Sequence, residues 1–254
     1  AALNAGDGAG TVALDTDSGS LTDSGGTVKA GAGGTIDLDA SVSIGASSPG
    51  NIETSGAAEV DATAGTNVYI NHTGNMDVGT VSGGLAAGNT VSLTSTGTMT
   101  TSAGQDITGR NVVLTLAADK LLTVDAATSI TATDSVNLIS DEMELNSTAG
   151  DIISVTSGGG AITLRAVEDA TLLKLGSGAG ADVSGAGAAG TLALDSTDIA
   201  ALSVAVIGQL QFGAEAQDGN TTITNGGAAL TINAPLVIYS DNFGFNAAGD
   251  ALST

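Results

Sequence analysis

One short phrase recurs along most of this chain: a small polar residue, then an apolar residue, any residue, and a second apolar residue. Clear copies are Thr90-Val91-Ser92-Leu93, Asn111-Val112-Val113-Leu114 and Ser135-Val136-Asn137-Leu138. Two apolar side chains separated by one residue point to the same side of an extended strand. Gly, Ser, Asn and Asp are concentrated between the copies, where they favour tight turns. Each copy therefore predicts one short β-strand with a single buried face.

The copies also recur at a nearly constant interval. Their first apolar residues are 21 to 26 residues apart in five of seven steps, and the two longer steps contain Ser47–Gly50 and Gly176–Gly190, which read as loops. A period of this length is typical of a solenoid. With about three short strands in each period, the sequence predicts an all-β fold, a parallel β-helix of about ten coils. Crossovers between parallel strands are usually right-handed, so we expect a right-handed β-helix.

The shared position of these residues in the repeat predicts which side chains form the core. The pairs that we expect to be buried and roughly stacked are Val12 and Leu14, Ile36 and Leu38, Val68 and Ile70, Val91 and Leu93, Val112 and Leu114, Val136 and Leu138, Ile162 and Leu164, and Leu192 and Leu194. Small polar residues beside the turns either stack into ladders or bond only to their local backbone. These residues are Asn67, Asn89, Asn111, Thr11, Thr35 and Thr191.

The composition agrees with a thin, extended interior. Aromatic residues are 2% of the 254 residues, and there is no Trp and no Cys, so aliphatic side chains must fill the core without disulfides. The 27 acidic and five basic residues give a formal net charge of −22. Nucleic acid and anionic membrane surfaces both require clustered cations, so neither is an expected partner. The 42% hydrophobic content argues against disorder.

We interpret residues 1–254 as a single solenoid segment, most regular over 1–165. Residues 166–208 contain insertions, with short helical turns predicted at Ala166–Leu175 and Asp198–Leu202. Residues 209–254 supply further coils, and Phe243 and Phe245 are candidates for an end cap. Because residues 1–10 are small and Gly-rich, we expect the stack to continue past that edge, as more polypeptide or as the next copy in a filament.

Metal-binding patterns are weak in this sequence. Asp15-Thr16-Asp17-Ser18-Gly19 begins like a calcium loop, but Ser20 and Gly26 stand where an EF-hand needs Gly and Glu. The segment Gly33–Asp37 similarly resembles only half of a calcium-binding nonapeptide. We predict no cofactor and no metal site beyond weak calcium binding at the surface.

Catalytic patterns are equally sparse. Some β-helix enzymes cleave polysaccharides with carboxylates and cations in a groove, and the candidates here are Asp141, Glu142 and Glu144 with Arg165 or Lys120. His72, the only histidine, is expected in a surface turn. A further alternative is binding of ice or another flat lattice by Thr94, Thr96, Thr98, Thr100 and Thr101. No catalytic residue is predicted, because acidic residues on solvated strands need no catalytic role.

The segments Gly88–Thr115 and Val124–Ile152 resemble the repeat region of filamentous-haemagglutinin-like proteins, the large β-helical exoproteins and autotransporter passengers of bacteria. Gly190–Gly208, followed by Thr222-Ile223-Thr224, is similar to another unit of such proteins. The Asn-Pro-Asn motifs of the family's secretion domain do not occur around Pro49 or Pro235. The resemblance therefore implies a passenger shaft.

From this resemblance we expect a non-enzymatic structural or adhesive shaft at the bacterial cell surface or in the extracellular space. Its expected partners are further copies of itself, or a ligand or polysaccharide on a neighbouring cell. A polysaccharide-active β-helix enzyme is the alternative. Tandem β-sandwiches are disfavoured, since they predict longer repeats and aromatic cores.

Overall fold

A computed structural model describes residues 2–4, 9–56, 58–146, 153–168, 171–177, 191–204, 208–215 and 219–254. Every strand pair that it describes is parallel, and the strands stack as a solenoid of about nine turns. At about 4.8 Å per coil, nine turns extend over roughly 43 Å. This confirms the all-β parallel solenoid that the sequence predicts, with about one coil fewer than expected. The right-handed sense stays a prediction.

The elements follow one another in short runs separated by turns. Their bounds are β1 (Ala2–Asn4), β2 (Thr11–Thr16), β3 (Thr27–Lys29), β4 (Gly34–Ala40), β5 (Ile52–Ser55), β6 (Ala58–Ala64), β7 (Val68–Thr73), β8 (Met76–Ser82), β9 (Thr90–Ser95), β10 (Met99–Thr101), β11 (Ile107–Leu116), β12 (Leu121–Val124), β13 (Ile130–Ile139), β14 (Glu142–Leu145), β15 (Ile153–Val155), β16 (Ala161–Arg165), β17 (Leu172–Leu175), β18 (Thr191–Leu194), α1 (Ser196–Ala200), β19 (Leu202–Val204), β20 (Gln209–Phe212), β21 (Thr221–Ile223), β22 (Ala229–Thr231), β23 (Leu236–Ile238), β24 (Phe243–Phe245) and β25 (Ala251–Ser253).

The coils present three faces. Face 1 begins with the long strands β2, β4, β6 and β8 and continues through β10, β12 and β14. Face 2 branches from the second half of β8 and runs through the first parts of β11 and β13 to β15 and β19. Face 3 holds β7, β9, the second parts of β11 and β13, then β16, β20 and β23.

Faces 1 and 2 separate where the strand register shifts. Opposite β6, strand β8 carries an additional residue, and the register changes between Val60 and Ala62. In the next coil the two halves of β8 pair with different strands, Met76–Val78 with β10 and Val81–Ser82 with β11. Residues 102–106 form the turn between those strands. A single inserted residue therefore marks the start of a new corner.

The predicted core is nearly complete in the structure. Fifteen of the sixteen named apolar residues are buried, and Leu14 in β2 is only half-buried. Outward positions alternate with them, so that Asp37 and Ser92 are not buried while Ile36 and Val91 are. The period-two reading of the sequence therefore assigned the inside and outside of the strands correctly.

The prediction that these residues form one stack is wrong, since they belong to different faces. Val12 and Ile36 stack on face 1, whereas Val68 belongs to a stack on face 3. The true predecessor of Val68 in its stack is Ile44, 24 residues earlier. The long step from Ile36 to Val68 is thus a change of face and not the effect of a loop.

Strand order on face 1 differs from chain order near the C-terminal part. Strand β17 pairs with β18 and with β21, and β18 in turn lies against β14. The spatial order is therefore β14, β18, β17, β21 and β24. Strand β18 follows β17 in the sequence but lies between β14 and β17 in the sheet. Fifteen residues, 176–190, connect these two parallel neighbours, enough for the crossover that a parallel pair requires. Residues 178–190 lie outside the described part of the chain.

This arrangement corrects one helix prediction and changes the other. Residues 172–175, expected to be helical, form strand β17 because their alternating apolar side chains pack inward. The helical turn expected at Asp198 is present as α1, but its N-cap is Asp195. Asp198 is instead the third helical residue of a capping box, in which Asp195 and Asp198 each accept from the other's backbone N–H.

A polar ladder follows one edge of face 3. Asn67 Oδ1 accepts the N–H of Thr90 (2.8 Å), and Asn111 Nδ2 donates to the carbonyl of Asn89 (2.9 Å). The hydroxyl of Ser135 then donates to Asn111 Oδ1 (2.8 Å). Asn67 and Asn111 therefore join neighbouring coils through their side chains, as the ladder prediction requires. Asn89 contributes only its backbone carbonyl, and its buried Nδ2 has no hydrogen-bond partner among the described residues. No side-chain hydrogen bond joins Thr11 to Thr35, although their backbones are paired.

Candidate functional site

The candidate catalytic residues meet at one corner of the stack. The Ser140 hydroxyl donates to the carbonyl of Lys120 (2.6 Å), and its N–H donates to the carbonyl of Arg165 (3.0 Å). Lys120, Ser140 and Arg165 therefore occupy three consecutive coils, as their positions in the repeat indicated. The structure brings the predicted carboxylates and cations to one region.

Asp141 has a structural role at that corner. It is 3% exposed, and its carboxylate accepts backbone N–H groups from Asp119 (2.9 Å) and Val167 (2.8 Å). These donors belong to the preceding and following coils, so one side chain fastens three coils together. Asp119 has a φ of 57°, a left-handed conformation that Asp tolerates better than most residues. A carboxylate held by several donors is poorly placed to act as a general base.

The other candidates differ in burial. Glu142 is 5% exposed, while Glu144 is half-buried on the outer side of β14. The ion pair between the described residues Arg110 and Asp134 (Nε to Oδ2, 2.6 Å) does not involve this corner.

The expectation for His72 is wrong, because its side chain is buried in β7 and does not lie in a surface turn. Its Nδ1 lies 3.0 Å from Thr54 Oγ1, and its Nε2 lies 2.9 Å from the carbonyl of Gly56. The carbonyl can only accept, so Nε2 carries the proton and Thr54 donates to Nδ1. Burial lowers the pKa of His72, favouring the neutral ring.

Face 1 carries a band of carboxylates on its outer side near the N-terminal coils. Asp15 is directly opposite Asp39, Asp37 is opposite Asp61, and Glu59 is opposite Asp77. Burial first, and then the neighbouring carboxylates of Glu59 and Asp37, raise the pKa of Asp61. Its Oδ1 accepts the N–H of Thr80 (2.8 Å), which opposes that shift. We call these six residues the acidic band.

The calcium-like segment contributes to this band and does not form a loop site. Asp15 lies in β2 and Asp17 in the turn that follows it, while Ile36 of the second segment is buried in β4. No group of three or more His, Cys, Asp or Glu side chains is placed to hold a metal ion within the described ranges. Weak calcium binding at the surface stays a prediction.

The threonines considered for lattice binding do not share a face. Thr94 lies in β9 on face 3, whereas Thr100 and Thr101 lie in β10 on face 1. Thr101 is buried, and its hydroxyl accepts the N–H of Asp125 (2.8 Å). The residues follow the chain around a corner, so they form no flat rank.

A cleft of about 560 Å³ lies between β19 and β22. Both strands line it, together with α1 and residues 232–234, and none of the described residues in its lining is charged. On face 1, β18 and β17 separate β14 from β21, whereas on face 2 β19 pairs with β15. On face 3, β20 pairs directly with β23.

Sequence reasoning missed this cleft. One signal was present, since Ile162 and Leu210 are stacked neighbours on face 3 but lie 48 residues apart, twice the usual interval. A second, smaller cavity of about 10 Å³ has a different lining, which includes the buried Thr171 and Thr221. Neither threonine hydroxyl has a hydrogen-bond partner among the described residues.

The one described helix has five residues, and no helix in the described ranges is long and apolar enough to cross a membrane. No family model matches the chain, and neither a search of known proteins nor one of solved structures found a match.

Proposed function

We propose that this chain is a non-enzymatic shaft, a structural or adhesive segment of a large exported bacterial protein. The observation that carries the proposal is the inner stack of mostly aliphatic side chains that the described residues form over about nine coils. In such a stack, backbone hydrogen-bond ladders join each coil to both of its neighbours. A segment built in this way is suited to holding other segments of a protein at a fixed distance.

The outer surface supports the same function. The chain has 27 acidic residues and only five basic ones. Most of the described carboxylates lie along strands or accept backbone N–H groups at turns. Like charges on neighbouring rods repel, which keeps shafts apart laterally without hindering contact at their ends. The resemblance to filamentous-haemagglutinin-like repeats supports a location outside the cell, and further copies or a surface ligand as partners.

The alternative is a polysaccharide-active enzyme, and one experiment can distinguish it from a non-enzymatic shaft. The chain would be incubated with neutral and acidic polysaccharides, and new reducing ends and unsaturated products would be measured. Spin labels would be placed on Asp15 and Thr222, which lie on the first and tenth of the successive strands β2 to β21 of face 1. A shaft predicts no cleavage and a label separation of at least about 43 Å, from nine strand spacings. Cleavage of any of these polysaccharides by the purified, folded chain would overturn the proposal.

A further inference from the structure

We propose that the outer side of face 3 over strands β7, β9, β11 and β13 binds an extended, uncharged polysaccharide, a β-1,4-linked chain of neutral sugars. The outward side chains of these four strands form two rows, which together we call the uncharged strip. This inference rests on the proposed function, since it gives an adhesive shaft its ligand class and the surface that binds it.

The first row of the strip crosses four successive coils. Tyr69 is paired with Ser92, Ser92 with Val113, and Val113 with Asn137. Neighbouring strands are about 4.8 Å apart, so this row extends over roughly 14 Å. All four strands lie within the continuously described residues 58–146. The strip is therefore defined by strands whose pairing is described throughout.

The second row runs beside the first. It consists of Asn71, Thr94, Thr115 and Ile139, paired in that order across the same four coils. Outward residues of one strand are two positions apart, about 7 Å along the strand. The side chains of both rows are half-buried on a sheet that is bonded on each side. The strip is thus a rigid surface with regularly spaced side chains.

The strip carries no charged side chain, although the chain has a net charge of −22. Charged residues lie at its borders. Glu53 is paired with Asn71 at one end of the second row, and Arg165 is paired with Ile139 at the other. Asp119 is exposed in the corner that follows β11. A neutral ligand covers the strip without removing an ion from water, whereas an acidic ligand is repelled by the surrounding carboxylates.

The polar side chains of the strip have unused hydrogen-bonding capacity. Those of Ser92, Thr94, Thr115 and Asn137 make no hydrogen bond to another described residue. Hydroxyl and amide groups both donate and accept. Sugar hydroxyls also do both, so a sugar chain can replace the water on these side chains with bonds of the same kind.

The apolar side chains are placed to contact the rings of a sugar and do not form a continuous patch. Tyr69 ends the first row, and its ring can pack against the C–H groups on the face of a sugar. Val113 and Ile139 lie in different rows on adjacent strands. A protein partner usually requires a contiguous apolar centre in its interface. The scattered arrangement therefore fits a sugar chain better than a protein surface.

A second copy of this chain is a poorer occupant for reasons of area and charge. Four strands about 4.8 Å apart and roughly 17 Å long give an area of about 300 Å², whereas a stable protein interface buries about 800 Å² on each partner. A larger contact would include the corners, where carboxylates such as Asp119 of both copies would repel. A peptide cannot add as a further strand, because each strand of the strip is already paired on both sides.

The test is a titration of the full 254-residue chain with β-1,4-mannopentaose, a neutral chain of five sugars, followed by calorimetry and amide NMR shifts. We expect saturable binding with a Kd of about 1 mM, since an open surface contacts only one side of the sugar chain. The shifts should be confined to the strands of the strip. The pentamer of β-1,4-linked mannuronate has the same linkage and length but a carboxylate on each sugar, and should bind at least about tenfold more weakly.

Thr115→Ala should weaken the binding of mannopentaose about three- to tenfold, the effect of one hydrogen bond. Thr123→Ala is the matched control, because Thr123 is also an outward, half-buried residue of a strand but lies on face 1. This variant should bind as the unmodified chain does. Tyr69→Ala should weaken binding by a similar factor, and Tyr69→Phe, which keeps the ring, should restore most of it.

Four results would overturn the inference: no saturable binding of mannopentaose, equally tight binding of the mannuronate pentamer, equal effects of Thr115→Ala and Thr123→Ala, or a dimer in sedimentation that Tyr69→Ala disrupts. The last result would assign the strip to a second copy of the chain. Each of these results leaves the shaft proposal standing. New reducing ends in the mannopentaose mixture would overturn the non-enzymatic shaft instead, while the shifts would still decide whether the strip binds the sugar.

Discussion

The carboxylate of Asp198 in α1 accepts a hydrogen bond from the backbone N–H of Leu145, 53 residues earlier in the chain, at 2.8 Å. Leu145 ends β14, and β18 lies beside that strand. The second carboxylate oxygen of Asp198 accepts the N–H of Asp195 (2.7 Å). One buried side chain therefore caps the helix and fastens the out-of-order β18 region to the coil beneath it.

Replacing Asp198 with Ala should destabilise the chain substantially. The N–H of Leu145 would lose its acceptor in a buried position and that of Asp195 in a partly buried one, and an unsatisfied buried donor costs about 1–3 kcal/mol. We expect a loss of roughly 2–4 kcal/mol in the free energy of unfolding by urea. Asp17→Ala, at an exposed turn, is the control and should change stability by less than about 0.5 kcal/mol. Similar small losses for both variants would contradict the fastening role.

His72 should make stability depend on pH near neutrality. Burial lowers the pKa of His72 in the folded chain from its ordinary value of 6.5, so the unfolded chain binds more protons below that pH. The stabilising contribution is therefore complete above about pH 6.5 and decreases as pH falls through the folded pKa. Thermal melting at closely spaced pH values should show this decrease, and His72→Met should remove it. An unchanged slope in that variant would contradict the buried neutral ring.

Asp61→Asn should stabilise the chain at low salt. The raised pKa of Asp61 means that its ionised form is disfavoured in the folded state, so this carboxyl costs stability as pH rises above 3.8 through its folded pKa. The side-chain amide oxygen of the variant can still accept the Thr80 N–H, while repulsion from Asp37 and Glu59 is absent. We expect a gain of about 0.2–1 kcal/mol at pH 7.

Salt distinguishes this explanation from a packing effect. Raising the ionic strength from about 0.01 M to 1 M shortens the Debye length from about 30 Å to 3 Å, so the advantage of Asp61→Asn should shrink. Asp61→Leu is the comparison, since it also removes the acceptor of the Thr80 N–H. A gain of the same size in low and high salt would show that burial of the carboxylate, and not charge repulsion in the acidic band, accounts for the effect.

Two buried threonines should respond in opposite directions to the same substitution. Thr221→Val removes a hydroxyl that has no partner among the described residues, so we expect a gain of about 1 kcal/mol in unfolding free energy. Thr101→Val leaves the Asp125 N–H without its acceptor and should cost about 1–3 kcal/mol. Urea unfolding of both variants provides the measurement. A loss for Thr221→Val as large as that for Thr101→Val would mean that the Thr221 hydroxyl is satisfied.

The sequence predicted the inside and outside of the strands because alternation is a local property. Ile36 and Asp37 needed only their neighbours to be placed correctly. The assignment of strands to faces failed because β2 and β9 carry the same phrase, and period-two alternation does not say which of three faces a strand joins. His72 could have been placed correctly, since Val68, Ile70 and His72 share one parity, but its polar character led to a surface assignment.

The candidate site was less predictable for a different reason. The order of β17 and β18 depends on which edges pair across many coils, and the apolar alternation of residues 172–175 is the same in either order. The cleft between β19 and β22 contains no motif of its own. The role of Asp141 also depends on backbone N–H groups from two other coils, which a local pattern of residues does not specify.

The in-register stacking of parallel coils is the central claim, and engineered disulfides test it most directly because the chain contains no Cys. Thr94 is paired with Thr115, which is paired with Ile139, all on the outer side of face 3. Adjacent positions are about 4.8 Å apart and two coils about 10 Å, whereas a disulfide requires Cα atoms within roughly 7 Å. The double variant Thr94→Cys/Thr115→Cys should oxidise quantitatively within one chain, and Thr94→Cys/Ile139→Cys should stay reduced. Equal oxidation of both, or oxidation of the second alone, would contradict the stack.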